Sequence, residues 1–371
     1  MDFDFSDDQE QLRDAIARWV SGSYGFERRQ KIVAAGGFDR AVWDELAGIG
    51  LPGLYIVGEY GGLDMSPIDG MIVMEELGRG LVMEPVAPVL VASALLQAYG
   101  EEPVRQRWLP QVASGRTILV LAHQERGMRY RLDTCTTTAS KSGDGYTVSG
   151  IKNIVPAGDR ANAWLVPAQL DDKLALFVVQ HGSDGVATRS YITQDEARAG
   201  DLELTQAPAE LVSTDGLRAL AHAADTGIAL ACAEGVGIME QMLQMTVAYM
   251  NQRKQFGVPI ASFQALRHRV AHMKMQLELA RSMSYYVTLK LGDPAPERRM
   301  AAARAKVQLG RSMRTVGQES VQLHGGIGMT DEYAGSHYFK RLTQLEMTWG
   351  DTLHHQAYVS EHMQDEAGVF A

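Results

Sequence analysis

Cysteine is scarce in this chain: Cys135 and Cys232 are the only two in 371 residues. Two isolated thiols build neither a disulfide framework nor a metal-ligand spacing, so no metal is expected and the chain suits a reducing cytoplasm. No apolar run reaches the roughly 18 residues that a membrane-spanning helix requires. Basic residues are outnumbered, 35 Lys and Arg against 45 Asp and Glu, for a formal charge of −10. That balance argues against nucleic acid or an anionic membrane as partner, since both demand basic patches. The opening Met1-Asp2-Phe3-Asp4-Phe5-Ser6-Asp7-Asp8 is acidic, unlike a signal or transit peptide. Internal repeats and low-complexity stretches are missing too. What remains is ordinary soluble globular composition, 46% hydrophobic and 22% charged, enough for one large domain or two to three packed ones. The 18 methionines suit adaptable helix packing.

Periodicity divides the chain into three. Leu12, Ile16, Trp19 and Val20 share one helical face behind a Ser6 N-cap, Asp39 to Leu46 reads as a further amphipathic turn ending at Gly48, and helix resumes at Met74-Glu75-Glu76-Leu77. The pattern changes near Arg116. Short β-branched or apolar runs at Thr117–Ala122, Tyr146–Val148, Trp164–Val166 and Leu174–Val179, separated by Gly, Asp and Ser, predict an antiparallel sheet or barrel over about 117–215. From about Ala221 helix returns. Ile238, Met242, Met245 and Tyr249 keep one face, as do Leu266, Val270, Met273 and Leu277. Gly292-Asp293-Pro294-Ala295-Pro296 then breaks the run before another helix. The expected fold is α+β multidomain: an N-terminal helical domain over 1–116, a middle antiparallel β-domain over 117–220 and a C-terminal four-helix bundle over 221–371.

Two segments in the last part carry chemistry. Gln322-Leu323-His324-Gly325-Gly326-Ile327-Gly328 places three glycines within four residues at the end of a helical run. Glycine costs a helix about 1 kcal/mol per position. Here it is either a helix C-cap or bare backbone that cradles a phosphate or a cofactor edge. Arg253-Lys254-Gln255-Phe256-Gly257-Val258-Pro259-Ile260, followed by Phe263-Gln264, reads as a long helix ending at a glycine, turning through a proline and restarting. A buried Phe beside an Arg suits stacking and phosphate binding; a helix cap followed by a solvated basic turn accounts for the same residues.

Taken together, Arg-x-Gln-Phe-Gly-x-Pro-Ile-x-x-Phe-Gln and Gln-x-His-Gly-Gly-x-Gly-x-Thr-x-Glu-Tyr, ending at Glu332 and Tyr333, resemble the acyl-CoA dehydrogenase family. The likeness covers nearly the whole chain. Phe5-Ser6-x-x-Gln9, Glu59-Tyr60-Gly61-Gly62 and Glu75-Glu76-Leu77-Gly78 look like that family's opening helices, and Gly150-Ile151-Lys152 and Ala161-Asn162-Ala163 like its β-domain. The resemblance implies an FAD flavoprotein, usually a tetramer, that desaturates an acyl-CoA thioester and passes electrons to an electron-transfer flavoprotein. In that chemistry a carboxylate removes the α proton while a hydride leaves the β carbon for the flavin. By the same resemblance Arg253, Gln255, Phe256, Gln322, Gly325, Gly326, Thr352 and Gln356 are expected to bind cofactor.

The chain departs from the family at the base. Most members carry a Glu in Glu-Gly-Thr-x-x-x-Gln near the end, where this sequence reads Gly350-Asp351-Thr352-Leu353-His354-His355-Gln356. Others place the Glu early in the helix before Arg-x-Gln-Phe-Gly, which here falls at Gly227. Glycine carries no proton acceptor. Asp351 is the nearest substitute, with Asp225 and Glu346 behind it; a capping role accounts for Asp351 equally. The flavin loop differs as well: His123-Gln124-Glu125-Arg126-Gly127 stands where Thr-Glu-Pro and a Gly-Ser-Asp turn are usual. Pro156 stands where a Thr or Ser bonds the flavin ring, with no hydroxyl and no N–H. The half of the site that a subunit donates to its neighbour's FAD is kept; the half that grips its own is weakened. That pattern resembles the base-poor member of heteromeric α2β2 acyl-CoA dehydrogenases, some of which act on steroid side chains or dicarboxylic acyl groups. The alternatives are a self-sufficient dehydrogenase using Asp351, a non-catalytic scaffold or acyl-CoA-binding paralogue, and related flavin chemistry on the same fold.

Overall fold

The computed structural model describes residues 5–143 and 145–367, with side chains through residue 363. The acidic Met1-Asp2-Phe3-Asp4 and the far end of the expected last domain lie outside these. Ser6 opens helix α1 (Asp7–Ser23) with a reciprocal capping box: its hydroxyl accepts the Gln9 N–H, and the Gln9 side chain accepts the Ser6 N–H. Five more helices follow: α2 (Phe26–Ala34), α3 (Arg40–Gly48) with Asp39 as its N-cap, α4 (Pro67–Arg79), α5 (Val86–Tyr99) and α6 (Glu102–Ala113). Seven strands come next: β1 (Leu119–Leu121), β2 (Thr138–Ser142), β3 (Gly145–Pro156), β4 (Ala163–Leu170), β5 (Lys173–Gln180), β6 (Val186–Ile192) and β7 (Arg198–Ser213). The last part holds α7 (Gly216–Gln252), a small hairpin of β8 (Lys254–Gln255) and β9 (Val258–Pro259), then α8 (Gln264–Leu289), α9 (Ala295–His324), α10 (Ala334–Met347) and α11 (Thr352–Ala367). The helix, sheet, helix succession is the order of elements along the chain.

Packing groups these elements into two compact units that interleave in sequence. One comprises Met1–Arg29, Pro67–Val82 and Ile228–Ala371; the other comprises Gln30–Ser66 and Met83–Gly227.

In the first unit, Met239, Met242, Met273, Leu277, Leu309, Met313, Val316, Leu342 and Leu345 form the centre of a helical core. Helices α4 and α7 cross with their backbones in contact. A Cβ on Gly78 would lie 2.4 Å from the Glu234 carbonyl, and one on Gly237 would lie 1.9 Å from the Glu75 carbonyl, so glycine is required on both sides. Glu234 then receives both arms of Arg341 from α10, at 2.6 and 2.9 Å. This forked pair fixes the register of α10 against α7.

The second unit centres on a barrel. Strands β4, β2, β3, β7 and β5 close a ring, since β5 pairs with both β7 and β4; β1 joins through β4 and β6 through β7. Most pairs are antiparallel, but β4 lies parallel to β1 and to β2. Trp164 and Phe177 fill the interior. The expected strand segments all fall in β1, β3, β4 and β5. The pattern of apolar runs missed β2 and β6, which are largely exposed, and β7, whose apolar residues are interspersed with charged and polar ones and interrupted by Gly200 and Pro208.

A polar group sits inside the barrel. Lys152 on β3 is fully buried and donates to Glu125 Oε1 at 2.6 Å. Glu125 also accepts from the backbone and hydroxyl of Thr136 and of Thr137. Burial alone would raise the Glu125 carboxyl, but the Lys152 bond and the threonine donors outweigh it and hold it well below the usual carboxylate range. Removing one partner strands the other charge in a dry interior. Lys152→Met is therefore expected to cost about 3–5 kcal/mol in chemical denaturation, and the double replacement Lys152→Met with Glu125→Gln appreciably less.

Candidate functional site

The two sequence motifs meet at one imidazole. His324 ends α9 and is buried. Its Nδ1 lies 2.7 Å from the Ser320 carbonyl, which can only accept, so Nδ1 carries the proton. Nε2 is then an acceptor, and the Tyr333 hydroxyl donates to it at 2.7 Å. The ring of Tyr249 on α7 lies against the other side, with centroids 4.6 Å apart. Tyr249 also accepts, through its carbonyl, the N–H of Arg253. One buried ring thus ties the glycine turn after α9 to the hairpin after α7.

The glycine turn is open. Gly325 takes φ +65°, a value glycine adopts freely, and a Cβ on Gly325 or Gly326 would meet nothing within 4 Å. Gly328 differs: a Cβ there would stand 2.9 Å from the Val321 carbonyl. Packing inside the chain therefore explains Gly328 and leaves Gly326 unexplained, with bare backbone facing open space. Gln322 is exposed beside it, and its side chain has no partner among the described residues.

The hairpin presents its residues the same way. Helix α7 ends at Gln252, ahead of the glycine expected to stop it, and β8 and β9 pair through a turn at Phe256 and Gly257 with φ +53° and +82°. Two successive positive φ values make the tight mirror-image turn that suits a hairpin's twist. A phenylalanine pays strain to adopt one. The expected buried Phe is instead 92% exposed, touching only the edge of Phe263 with centroids 6.2 Å apart. Arg253 and Gln255 are exposed, and neither side chain has a partner among the described residues.

The segment after α10 is built differently. Trp349 and Gly350 take φ +60° and +110°. Asp351 Oδ1 accepts the His354 N–H at 2.8 Å, as the N-cap of α11. Thr352 gives both its N–H and its hydroxyl to Glu346 Oε1, at 3.0 and 2.7 Å. Gln356 accepts from Arg311 at 3.1 Å. Beneath the turn, the buried Lys306 ammonium donates to the carbonyls of Leu345 and Glu346. Of the second candidate set, Asp225 is buried on α7 and Gly227 lies two residues on. Thr352, Gln356, Asp351 and Glu346 are thus engaged around the start of α11, whereas the side chains of Arg253, Gln255, Phe256 and Gln322 and the backbone at Gly325 and Gly326 are exposed.

In the β-domain the segment around Pro156 has its donors spoken for. The N–H of Asn153 goes to the Gln124 carbonyl, that of Ile154 to Asp201 Oδ1 and that of Ala157 to the Arg198 carbonyl, while Pro156 has none. The loop 126–131 carries exposed Arg126, Arg129 and Arg131.

Comparison with known proteins identifies the family. The description "Acyl-CoA dehydrogenase, N-terminal domain" matches residues 6–116, and "Acyl-CoA dehydrogenase, C-terminal domain" matches residues 214–362. Acyl-CoA dehydrogenase IpdE2 of Mycobacterium tuberculosis is 30% identical, over 90% of this chain and 91% of that one. This chain belongs to the acyl-CoA dehydrogenase family. The family's enzymes are FAD-dependent oxidoreductases acting on CH–CH groups. Two solved structures are close in fold. A variant of the Tcur3481–Tcur3483 steroid ACAD has a TM-score of 0.89 and 27% identity over 97% of this chain and 99% of that one. The ChsE4–ChsE5 complex from Mycobacterium tuberculosis has a TM-score of 0.89 and 26% identity over 98% and 99%. Among the described residues no helix is long and apolar enough to cross a membrane, and no cluster of His, Cys, Asp or Glu is arranged to hold a metal.

Sequence reasoning gave no role to the His324–Tyr249–Tyr333 group, to Lys306 or to His355. Their types were visible, but only folding brings α7, α9 and α10 together around them. Two outcomes follow from the buried rings and the open turn. Gly326→Ala is expected to leave thermal stability unchanged, whereas Gly328→Ala lowers it by about 1–3 kcal/mol. Burial lowers the pKa of His324, and lowers that of His355 to about 3, so both rings fold as neutral imidazoles. Their contribution is complete above the unfolded value of about 6.5 and is lost as pH falls below it. A thermal melt series from pH 7.5 to 5 should slope downward, and less steeply in His355→Phe.

Proposed function

We propose that this chain is the base-lacking subunit of a two-component, FAD-dependent acyl-CoA dehydrogenase that α,β-desaturates an acyl-CoA thioester. The observation that carries the reading is an asymmetry. The residues that family members extend to a neighbour's cofactor are exposed and unpartnered here, while both positions for a base hold glycine. The open backbone at Gly325 and Gly326 fits an approaching nucleotide, and Arg253 fits its pyrophosphate as a fixed, fork-shaped cation. Phe256 offers a ring already turned outward, so its strain is returned only by contact with something outside this chain. FAD, when bound, supplies the acceptor for the hydride.

Within this reading the chain's own residues bind and orient. Arg253, Gln255, Phe256, Gln322, Gly325 and Gly326 complete the cofactor pocket of a partner subunit, and the partner supplies the carboxylate that takes the α proton. Thr352 and Gln356 lie on the segment the family uses beside the flavin, but here they brace α11. The fit to the Tcur3481–Tcur3483 steroid ACAD and to the ChsE4–ChsE5 complex, each named for two components, supports a hetero-oligomer and a bulky acyl group. Electrons would leave through an electron-transfer flavoprotein. The alternative, an enzyme using Asp351 as its own base, requires that carboxylate to leave its capping bond to His354.

Purified alone, the protein is expected to carry well under one FAD per chain and to reduce no dye with acyl-CoA. Co-expressed with a base-bearing partner, it should yield one flavin per two chains. Gly326→Ala, neutral for folding, should lower that flavin content. Full flavin and turnover in the isolated chain would sink the proposal, and loss of that turnover in Asp351→Asn would then assign the base to Asp351.

A further inference from the structure

The absence of a carboxylate at position 350 has a physical cause in the neighbouring side chains. A Cβ built on Gly350 would lie 2.6 Å from His355 Nε2, 3.1 Å from His355 Cδ2 and 2.7 Å from His354 Cδ2. Real Cβ atoms do not approach so closely, so something must move. His354 is partly exposed and can swing aside. His355 cannot: its ring is fully buried, and Nε2 donates to the Trp349 carbonyl at 2.9 Å. With Nε2 carrying the proton, Nδ1 is a buried acceptor without a hydrogen-bond partner among the described residues. Such an orphan costs about 1–3 kcal/mol. An imidazole kept at that cost is doing something an apolar residue would not, and the one hydrogen bond it makes is to the carbonyl of Trp349. That residue and Gly350 are the two positive-φ residues of the turn. The φ of +110° at Gly350 adds a second barrier, since side-chain-bearing residues rarely adopt it.

We propose that His355 is a positioning residue that enforces glycine at 350: its ring, anchored to the Trp349 carbonyl, occupies the volume that any side chain at that position would enter. On this view the base has been excluded by repacking of the turn, and a single Gly350→Glu change cannot restore it. The inference rests on the reading of this chain as a subunit without its own base, and it can fail separately from it.

A double-mutant cycle at 350 and 355 tests it by thermal unfolding of the full chain. Gly350→Ala is expected to lower Tm in the wild-type background. In a His355→Ala background the same change should cost less by about 2 °C or more, because the ring is gone and only the backbone strain remains. In a His355→Phe background, where a ring remains but its anchor to the Trp349 carbonyl is lost, the relief should be clearly smaller than with His355→Ala. If Gly350→Ala yields no folded protein, recovery of folded protein in Gly350→Ala/His355→Ala supports the proposal, and failure of both overturns it. Strict additivity across the cycle, or equal relief by Ala and Phe at 355, overturns it as well. Turnover by the isolated wild-type chain would defeat the subunit reading while leaving this packing result standing. A gain of dye reduction on Gly350→Glu alone, in chain co-expressed with its partner, would defeat the exclusion itself.

Discussion

The hydrogen-bonded stack at His324 is the contact on which the candidate site depends. Its two nitrogens do different work, one proton given to the last turn of α9 and one lone pair taken up by Tyr333, while Tyr249 from α7 covers the face. A neutral imidazole in a buried setting can donate to a carbonyl and accept from a hydroxyl at once, which an ionised carboxylate cannot do, and its ring also packs against Tyr249. The arrangement lets α9 stop abruptly into bare glycine backbone while the hairpin beyond α7 stays close to it in the fold. The histidine of the motif is therefore engaged within the chain, whereas Gln322, Gly325 and Gly326 on either side of it are exposed.

Around that anchor the first unit shows a consistent division. Several charged groups facing inward are paired, as in the fork between Arg341 and Glu234 or the buried ammonium of Lys306 on two carbonyls at the end of α10. Residues facing outward along the two motifs are not. Arg253, Gln255 and Gln322 lack partners among the described residues, and Phe256 spends backbone strain to hold its ring in solvent. Nothing among the described residues of this chain accounts for that strain or for those exposed polar groups. The turn at Trp349 and Gly350 is the opposite case. There Asp351, Thr352 and Glu346 are bonded within the turn, and the space a side chain at 350 would enter is filled by histidine.

The β-unit carries a comparable contrast. Its interior is organised by the Glu125–Lys152 pair, whose desolvation is offset by five further donors from Cys135, Thr136 and Thr137. At its rim, the strand end at Pro156 offers no amide, and the amides of Asn153, Ile154 and Ala157 are taken up internally. The Glu125–Lys152 pair is thus fully engaged within the unit, while the strand end at Pro156 leaves few backbone amides free.

Much of this was legible in the residues themselves. Helical and alternating periodicity, the Ser6 and Asp39 caps and the proline break before α9 follow from local sterics and local hydrogen bonding, which neighbouring residues determine. The family motifs, the glycines at 350 and 227 and the proline at 156 were equally plain, because each is a statement about which atoms exist. Strands without a continuous apolar run were harder, since β6 and β7 derive their order from pairing partners outside their own segments. Whether a residue is free or engaged was beyond reach of the sequence. Phe256 looked buried and is exposed; Thr352 and Asp351 looked available and are bonded within the chain. Those outcomes depend on which helices pack together and which turns take positive φ, and only the tertiary structure decides them, because burial and hydrogen bonding are properties of neighbours in space.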